Sequence, residues 1–158
     1  MIIVSNTSPI NYLVLIGQID VLRDLFGQIT IPQAVYDELS DIAAPESVRS
    51  WIINSPDWLN IESVNVSSDK ELDLLDPGER AAIFLAQAMN ADLVLLDDMK
   101  ARHAATNKGL RITGILGILD QAATLNLIDL PNAVATLQAT SFWASDSLFR
   151  RLLEKHGH

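Results

Sequence analysis

Short apolar, largely β-branched runs alternate along the chain with longer segments whose apolar residues recur at helical spacing. The short runs predict strands at residues 1–5, 28–31, 92–96 and 111–113, and residues 58–66 are extended in character. Residues 93–96 give the clearest strand, because four apolar residues without a break are typical of a strand covered on both faces.

The longer segments predict helices at residues 9–17, 19–26, 32–39, 45–54, 77–89, 98–107, 115–125, 131–140 and 146–155. Strands separated by helices predict a central parallel sheet with helices on both faces. No internal repeat, low-complexity tract or linker divides the chain. The pattern therefore predicts one α/β domain, a three-layer α/β/α sandwich over residues 1–158.

Two helix starts carry clear capping signals. Pro9 suits the first turn of a helix, with Thr7 or Ser8 as its cap. Asp76 precedes Pro77 and lies three residues before Glu79, which is the spacing of a capping box with aspartate as the capping residue. Glu79 is therefore expected to help cap this helix, and this role does not exclude a second one in a functional site.

The composition limits the chemistry. The chain has 158 residues, 49% of them hydrophobic, which is enough for one sizeable core. It has no cysteine, so disulfides and thiolate metal sites are excluded, and a metal would need oxygen ligands or one of the three histidines. Since no signal peptide and no membrane-spanning apolar segment is visible, we expect a cytoplasmic protein that does not bind membranes.

The net charge of −9 argues against a general binder of polyanions. The charges are unevenly distributed, however: residues 1–79 contain thirteen acidic and three basic residues, and residues 80–158 contain seven and eight. Four bases fall within twelve positions, at Lys100, Arg102, Lys108 and Arg111. Taken singly, each is best interpreted as a solvated side chain. Together they could form a phosphate-binding rim beside an acidic site.

Candidate chemistry lies where the predicted strands end, because ligands of open α/β sheets bind outside the carboxyl ends of strands. Asn6 ends the first strand, and Asp97 and Asp98 end the strand through residue 96. Glu38 and Glu79 lie on helices that could reach the same edge. Carboxylates gathered at one edge repel one another unless a cation neutralises them, and oxygen ligands suit Mg²⁺ or Mn²⁺. Such ions support phosphoryl chemistry.

Each of these residues also has a purely structural explanation. Glu38 could be solvated near a helix end, Asp97 and Asp98 could cap the next helix, and Asn6 could be a turn residue. Other chemistries are less supported, because the chain has no P-loop motif and no G-x-S-x-G nucleophile motif. The three tryptophans, at positions 51, 58 and 143, are interpreted as core residues rather than as a base-stacking surface.

Four blocks of the sequence resemble PIN-domain proteins in their order and approximate spacing. They are residues 4–9 (VSNTSP), 35–39 (VYDEL), 76–83 (DPGERAAI) and 95–102 (LLDDMKAR). Residues 111–117 (RITGILG) resemble a branch of short PIN-like proteins related to VapC-type toxins. The resemblance extends from residue 1 to about residue 130 and identifies the chain as a member of this family.

The resemblance implies a PIN-like fold and a hydrolase, a ribonuclease that depends on Mg²⁺ or Mn²⁺. Asn6 takes the place of the first-strand aspartate, with Thr7 and Ser8 as its hydroxyl neighbours. Glu38, Glu79 and either Asp97 or Asp98 match the other acids, while Lys100 and Arg102 are candidate contacts to the RNA backbone. The related toxins form homodimers and are inhibited by a cognate antitoxin.

Asn6 departs from the family pattern, because a carboxamide supplies a ligand oxygen but no negative charge. Two functions therefore remain open. One is an active endoribonuclease, the toxin of a toxin–antitoxin pair. The other is a PIN-like scaffold with weak or no catalysis that binds RNA or a protein partner. The site carboxylates favour the first, and Asn6 and the acidic net charge favour the second.

Overall fold

Five short strands and nine α-helices alternate in the computed structural model, which describes residues 1–158. The strands are β1 (Ile3–Ser5), β2 (Ile29–Pro32), β3 (Leu59–Glu62), β4 (Leu93–Leu95) and β5 (Ile112–Thr113). The helices are α1 (Thr7–Leu15), α2 (Val21–Phe26), α3 (Gln33–Ser40), α4 (Glu46–Ile53), α5 (Pro77–Met89), α6 (Met99–Asn107), α7 (Ile115–Thr124), α8 (Leu130–Gln138) and α9 (Asp146–Lys155), with a 3₁₀ turn at Leu72–Leu74.

All five strands are parallel and lie in the order β3-β2-β1-β4-β5. The central strand β1 pairs with β2 through Val4 and Thr30, and with β4 through Val4 and Val94. The chain first builds the sheet outward on one side of β1 and then returns to build the other side. The strand order therefore reverses beside β1, and the carboxyl ends of β1 and β4 form the crevice where such sheets bind ligands.

Alternate residues of the strands face two separate cores. Ile3 and Leu95 belong to a cluster of 25 buried residues formed with α1–α4 and α7–α9. Val4, Val94 and Leu96 face a cluster of 12 buried residues formed with α5, α6 and the 3₁₀ turn. This alternation of period two places helices on both faces of the sheet. The predicted three-layer α/β/α architecture is confirmed.

The predicted strands and helices agree with the structure to within a few residues, but the first helix begins earlier than expected. Asn6, rather than Thr7 or Ser8, occupies the capping position of α1, and its side chain makes no capping hydrogen bond. The backbone N–H of Asn6 still donates to the Leu95 carbonyl oxygen at 3.0 Å, so the chain turns from strand to helix within one residue. Pro9 fits in the third helical position because the first N–H groups of a helix lack intrahelical partners.

The interpretation of the tryptophans is correct for two of the three. Trp58 is buried and Trp51 packs against it, with ring centroids 5.9 Å apart. Trp143 is 82% exposed, so its assignment to the core is wrong. Its neighbour Phe142 packs edge-on against Tyr12 instead, at 5.3 Å between ring centroids.

The C-terminal helices complete the larger core. Phe149 and Leu152 of α9 are buried in it, beside residues of α7 and α8.

None of the helices combines the length and the apolar character needed to cross a membrane, and α5, the longest, has thirteen residues.

Candidate active site

Asn6 lies at the centre of the carboxyl edge of the sheet. It follows β1 directly and is only 3% exposed. Its side-chain oxygen Oδ1 is buried and has no hydrogen-bond partner in the protein. A buried polar atom without a partner costs free energy, and such atoms mark places where a ligand, ion or water supplies the missing interaction.

Glu38 is held at this edge by two different elements. Its Oε1 accepts a hydrogen bond from the Thr7 hydroxyl at 2.5 Å, and its Oε2 accepts one from the Gly78 backbone N–H at 2.8 Å. The carboxylate therefore sits between the first turn of α1 and the first turn of α5, where unpaired helix N–H groups attract negative charge. Only a glycine allows this approach, because a Cβ at position 78 would overlap the Glu38 carboxyl group.

Glu79 closes the capping box predicted at the start of α5. Its backbone N–H donates to Asp76 Oδ1 at 2.8 Å, and its Oε1 accepts from the Asp76 backbone N–H at 3.2 Å. The residue is only 8% exposed. Glu79 therefore helps to cap α5, as predicted. This position brings its carboxylate close to Asp76 and Asp98, and the charges of both raise the pKa of Glu79.

Asp97 and Asp98 point to opposite faces of the sheet. Asp98 caps α6, its Oδ2 accepting from the Ala101 backbone N–H at 3.1 Å, and it is close enough to Glu79 to act on its pKa. The Asp97 Oδ1 accepts instead from the Ile115 backbone N–H at 2.9 Å, at the start of α7. Strand alternation explains this division, because Leu95 and Leu96 already face different cores. Of the two aspartates, Asp98 is the one that meets Glu79.

The surroundings of Asp97 form a second polar cluster. Its Oδ2 is buried without a hydrogen-bond partner, and Arg102 lies close enough to lower its pKa. One Arg102 nitrogen, Nη1, donates to the Leu96 carbonyl oxygen at 3.0 Å. A Cβ at Gly114 would lie 2.5 Å from Asp97 Oδ1, so the tight packing here depends on glycine.

Burial and mutual repulsion raise the pKa of the acids at this edge. Desolvation is the largest cause for Glu79, followed by the Asp76 carboxylate, and together with Asp98 they raise its pKa to about 7. Desolvation also raises the pKa of Glu38 and of Asp97, although hydrogen bonds oppose it in both cases. Acids with raised pKa values in a crevice are typical of functional sites, because a cation can stabilise their ionised forms.

The four residues predicted to bind substrate differ in their exposure and in the contacts that they make. Lys100 is exposed and forms no ion pair, while Arg102 is half-buried beside Asp97. The Thr7 hydroxyl is engaged by Glu38, and Ser8 is half-buried in the first turn of α1. Another base of the cluster, Lys108, pairs with Asp69 at 2.6 Å.

The donor set suits a hard cation, but it is not a closed cage. No three carboxylates or histidines come together closely enough to hold a metal ion. The side chains present are all oxygen donors, and the orphaned Asn6 Oδ1 adds one more at the end of β1. Mg²⁺ usually keeps several waters and binds through one or two carboxylates, so this donor set fits it without a complete protein cage.

Two residues take part at this edge without being predicted as site residues. Asp76 is predicted only as a cap, yet its carboxylate raises the pKa of both Glu38 and Glu79. Gly78 supplies the N–H group that binds Glu38. A usable signal was present, because a glycine between the first proline and the N3 glutamate leaves the helix N-terminus open to a carboxylate from elsewhere.

Comparisons with known proteins agree with this fold. No curated protein and no solved structure matches the chain. The family described as PIN domain matches residues 2–158, which is nearly the whole chain. Members of that family are commonly nucleases that use divalent metal ions. The protein therefore belongs to the PIN-domain family.

Proposed function

We propose that the chain is a divalent-metal-dependent endoribonuclease that hydrolyses RNA phosphodiester bonds. The observation that carries the proposal is that Glu79 and Asp98 lie close enough for one charge to act on the other, on the face of the sheet covered by α5 and α6, while Asn6 at the end of β1 has a buried side-chain oxygen without a partner. Membership of the PIN-domain family supports the reaction class. The choice of RNA as the substrate comes from the resemblance of the sequence blocks.

In this proposal, Asn6, Glu79 and Asp98 hold Mg²⁺ or Mn²⁺, and Glu38 completes the acidic edge. When bound, the ion activates water as a nucleophile and stabilises charge on the leaving oxygen. Thr7 and the Gly78 N–H keep the Glu38 carboxylate in place, so Thr7 acts as a positioning residue rather than as a substrate contact. Lys100 and Ser8 offer polar groups to the RNA backbone.

Asp97 has a different part in the proposal from the other acids. Its Oδ1 is bound to the start of α7 and its neighbour is the guanidinium group of Arg102. We assign it the task of orienting Arg102 toward substrate rather than that of a main metal ligand. Asp98 is then the aspartate that we propose as the metal ligand.

Substitution of the two central acids tests the reaction. We expect Glu79→Gln and Asp98→Asn each to reduce cleavage of a labelled single-stranded RNA by at least ~100-fold, because several kcal/mol of charge stabilisation is lost. The melting temperature, measured in EDTA at pH 4.5, where Glu79 keeps its proton, should change little, since glutamine can still close the capping box and asparagine is an equally good cap. Activity is measured with Mn²⁺ and with EDTA, and the melting temperature by circular dichroism.

The control is Glu46→Gln, which removes an exposed acid from the first turn of α4 and should retain full activity. Calorimetric titration of Mn²⁺ gives a second measurement that is independent of substrate. Saturable binding that the double variant Glu79→Gln/Asp98→Asn loses supports the metal site. Full cleavage by both single variants contradicts the proposed ligands.

The second candidate is a PIN-like scaffold that binds RNA or a protein partner without cutting. It is favoured by the neutral Asn6 and by the absence of a set of three carboxylates at one point. RNA binding in the presence of Mn²⁺ without any cleavage would establish it.

The proposal extends to the cellular role: a toxin that acts as a homodimer and is held by an antitoxin, as in the VapC-type proteins that the sequence resembles. Induced expression should then arrest bacterial growth, and Glu79→Gln should relieve the arrest at equal protein level. Light scattering on the purified chain gives the oligomeric state. Normal growth with soluble, RNA-cleaving protein would contradict the toxin role while leaving the nuclease in place.

A further inference from the structure

A groove of about 410 Å³ opens next to Asp97, beside the end of β5. It is lined by the start of α6, the start of α7 and the segment that leads into α9. The side chains that define it are those of Met99, Arg102, Phe142, Trp143 and Leu148. Its volume is in the range of clefts that bind small ligands or single groups of larger ones.

Trp143 stands at this groove with 82% of its surface exposed, although the residues around it are fixed. Phe142 packs between Tyr12 and Phe149, and Ala144 packs against the larger core. Ser145 then caps α9 by accepting from the Leu148 backbone N–H at 3.2 Å. The backbone that carries the indole ring is therefore anchored, while the ring itself lies in solvent. The folded protein forgoes the free energy that burial of a tryptophan side chain provides.

The groove combines apolar and cationic surface. Met99 is 77% exposed and Leu148 is 44% exposed, and both line it with Trp143. Arg102 brings a guanidinium group that makes one hydrogen bond, to the Leu96 carbonyl, and leaves its other nitrogens available. Arg151, exposed one helical turn after Leu148, adds a second positive charge along α9. The acids nearby are Asp97, which faces Arg102, and Asp146 in the first turn of α9.

The groove lies close to the candidate active site along the chain, on the other face of the sheet. Asp97, which lines the groove, directly precedes Asp98, which is close enough to Glu79 to raise its pKa. A strand of RNA whose phosphodiester lies at the carboxylates would pass this groove with a neighbouring nucleotide. An aromatic ring beside a guanidinium group is the combination that binds single-stranded nucleic acid, because a base stacks on the ring while the cation holds the backbone.

We propose that this groove is a nucleotide subsite for single-stranded RNA, in which a base stacks on Trp143 and Arg102 contacts the adjoining phosphate. The inference rests on the proposed function and adds to it where a nucleotide next to the cleaved bond lies. A second copy of the chain is the less favoured occupant, because a stable dimer buries about 800 Å² per partner and three exposed apolar side chains around a concave groove supply much less.

The test measures RNA binding without cleavage. A dye-labelled single-stranded RNA is titrated with the full-length protein in EDTA, and binding is followed by anisotropy and by tryptophan fluorescence. We expect saturable binding with quenching, and Trp143→Ala should weaken it by between about 5-fold and about 150-fold, the range measured for loss of one stacked base. Trp143→Phe should keep most of the affinity but lose the quenching, because Trp51 and Trp58 are packed together away from the groove.

Leu125→Ala is the control, because Leu125 is 59% exposed at the far end of α7 and should not affect binding. Equal affinity of Trp143→Ala and wild-type protein overturns the subsite, and so does absence of RNA binding by the wild-type protein. A change of oligomeric state in Trp143→Ala with unchanged RNA affinity also overturns it and assigns the face to a second copy. Binding that depends on Trp143 in a protein that never cleaves RNA supports the subsite and rejects the nuclease.

Discussion

The carboxyl group of Glu79 closes the capping box of α5 and also faces two other acids. The hydrogen bond from the Asp76 backbone favours its ionised form, whereas burial and the charges of Asp76 and Asp98 disfavour that form. Burial and repulsion prevail, and the pKa is raised from 4.5 to about 7. One residue thus couples the start of a helix to the electrostatics of the crevice, and neither role excludes the other.

The raised pKa of Glu79 makes stability depend on pH in the metal-free protein. The folded protein holds a proton that the unfolded chain releases above pH 4.5, so the stabilisation is complete below that pH and is lost as the pH rises through about 7. We expect the free energy of unfolding in EDTA to fall by up to about 3 kcal/mol across this window. Urea denaturation at several pH values measures it.

Glu79→Gln supplies the comparison for this pH dependence. Glutamine keeps the capping hydrogen bond but cannot ionise, so the slope between pH 4.5 and 7 should become markedly flatter. A variant with the same slope as the wild-type protein would show that another group titrates in this range.

At the scale of elements, a hydrogen bond between a carboxylate and a helix N-terminus links α3 to α5. Glu38 near the end of α3 accepts the Gly78 N–H in the first turn of α5, and Thr7 of α1 closes the contact from the other side. Three helices that lie far apart in sequence therefore fix one acid. The absence of a side chain at position 78 is what lets them approach.

Gly78→Ala should disturb this contact in a way that depends on Glu38. Alanine is the better helix former by up to about 1 kcal/mol, but its Cβ would lie 2.7 Å from the Glu38 carboxyl carbon. We therefore expect Gly78→Ala to be neutral or destabilising in the wild-type protein and to weaken Mn²⁺ binding. In a Glu38→Ala background it should stabilise by ~0.5–1 kcal/mol.

Chemical denaturation of the four proteins in this cycle measures the coupling between the two positions. Equal effects of Gly78→Ala in both backgrounds would mean that helix propensity alone decides and that the contact with Glu38 is unimportant.

At the scale of the whole molecule, two cores on opposite faces of the sheet hold the crevice between them. The smaller core carries α5 and α6 with Glu79 and Asp98, and the larger one carries α7 and α9 with the groove beside Asp97. The C-terminal helix is part of the larger core through Phe149 and Leu152. The last residues are thus structural, apart from the outward-facing Trp143.

Two aromatic substitutions in the C-terminal segment should have opposite consequences. Phe149 is 5% exposed, and we expect Phe149→Ala to destabilise the protein by ~3–5 kcal/mol through loss of core packing. Trp143→Ala should change the stability by less than about 0.5 kcal/mol, because the ring lies in solvent. Thermal or urea unfolding of both variants gives the comparison. A large loss of stability in Trp143→Ala would show that the ring is packed in solution.

Much of the fold could be read from the sequence because each element has its own local signal. Residues 93–96 are apolar without a break, and Asp76, Pro77 and Glu79 together mark a helix start, so these elements form for reasons contained in a few neighbouring residues. The same local signals placed Asn6, Asp98, Glu38 and Glu79 near the ends of elements.

The sequence by itself determined the alternation of strands and helices, the oxygen-only donor set and the candidate acids, because these follow from residue type and short-range spacing. Only the tertiary structure decided which aspartate faces Glu79, since that depends on which core lies under each face of β4. It also decided that Gly78 binds Glu38 and that Trp143 is exposed. These outcomes arise from contacts between residues 40 to 130 positions apart, such as Glu38 with Gly78 and Tyr12 with Phe142, which no local pattern contains.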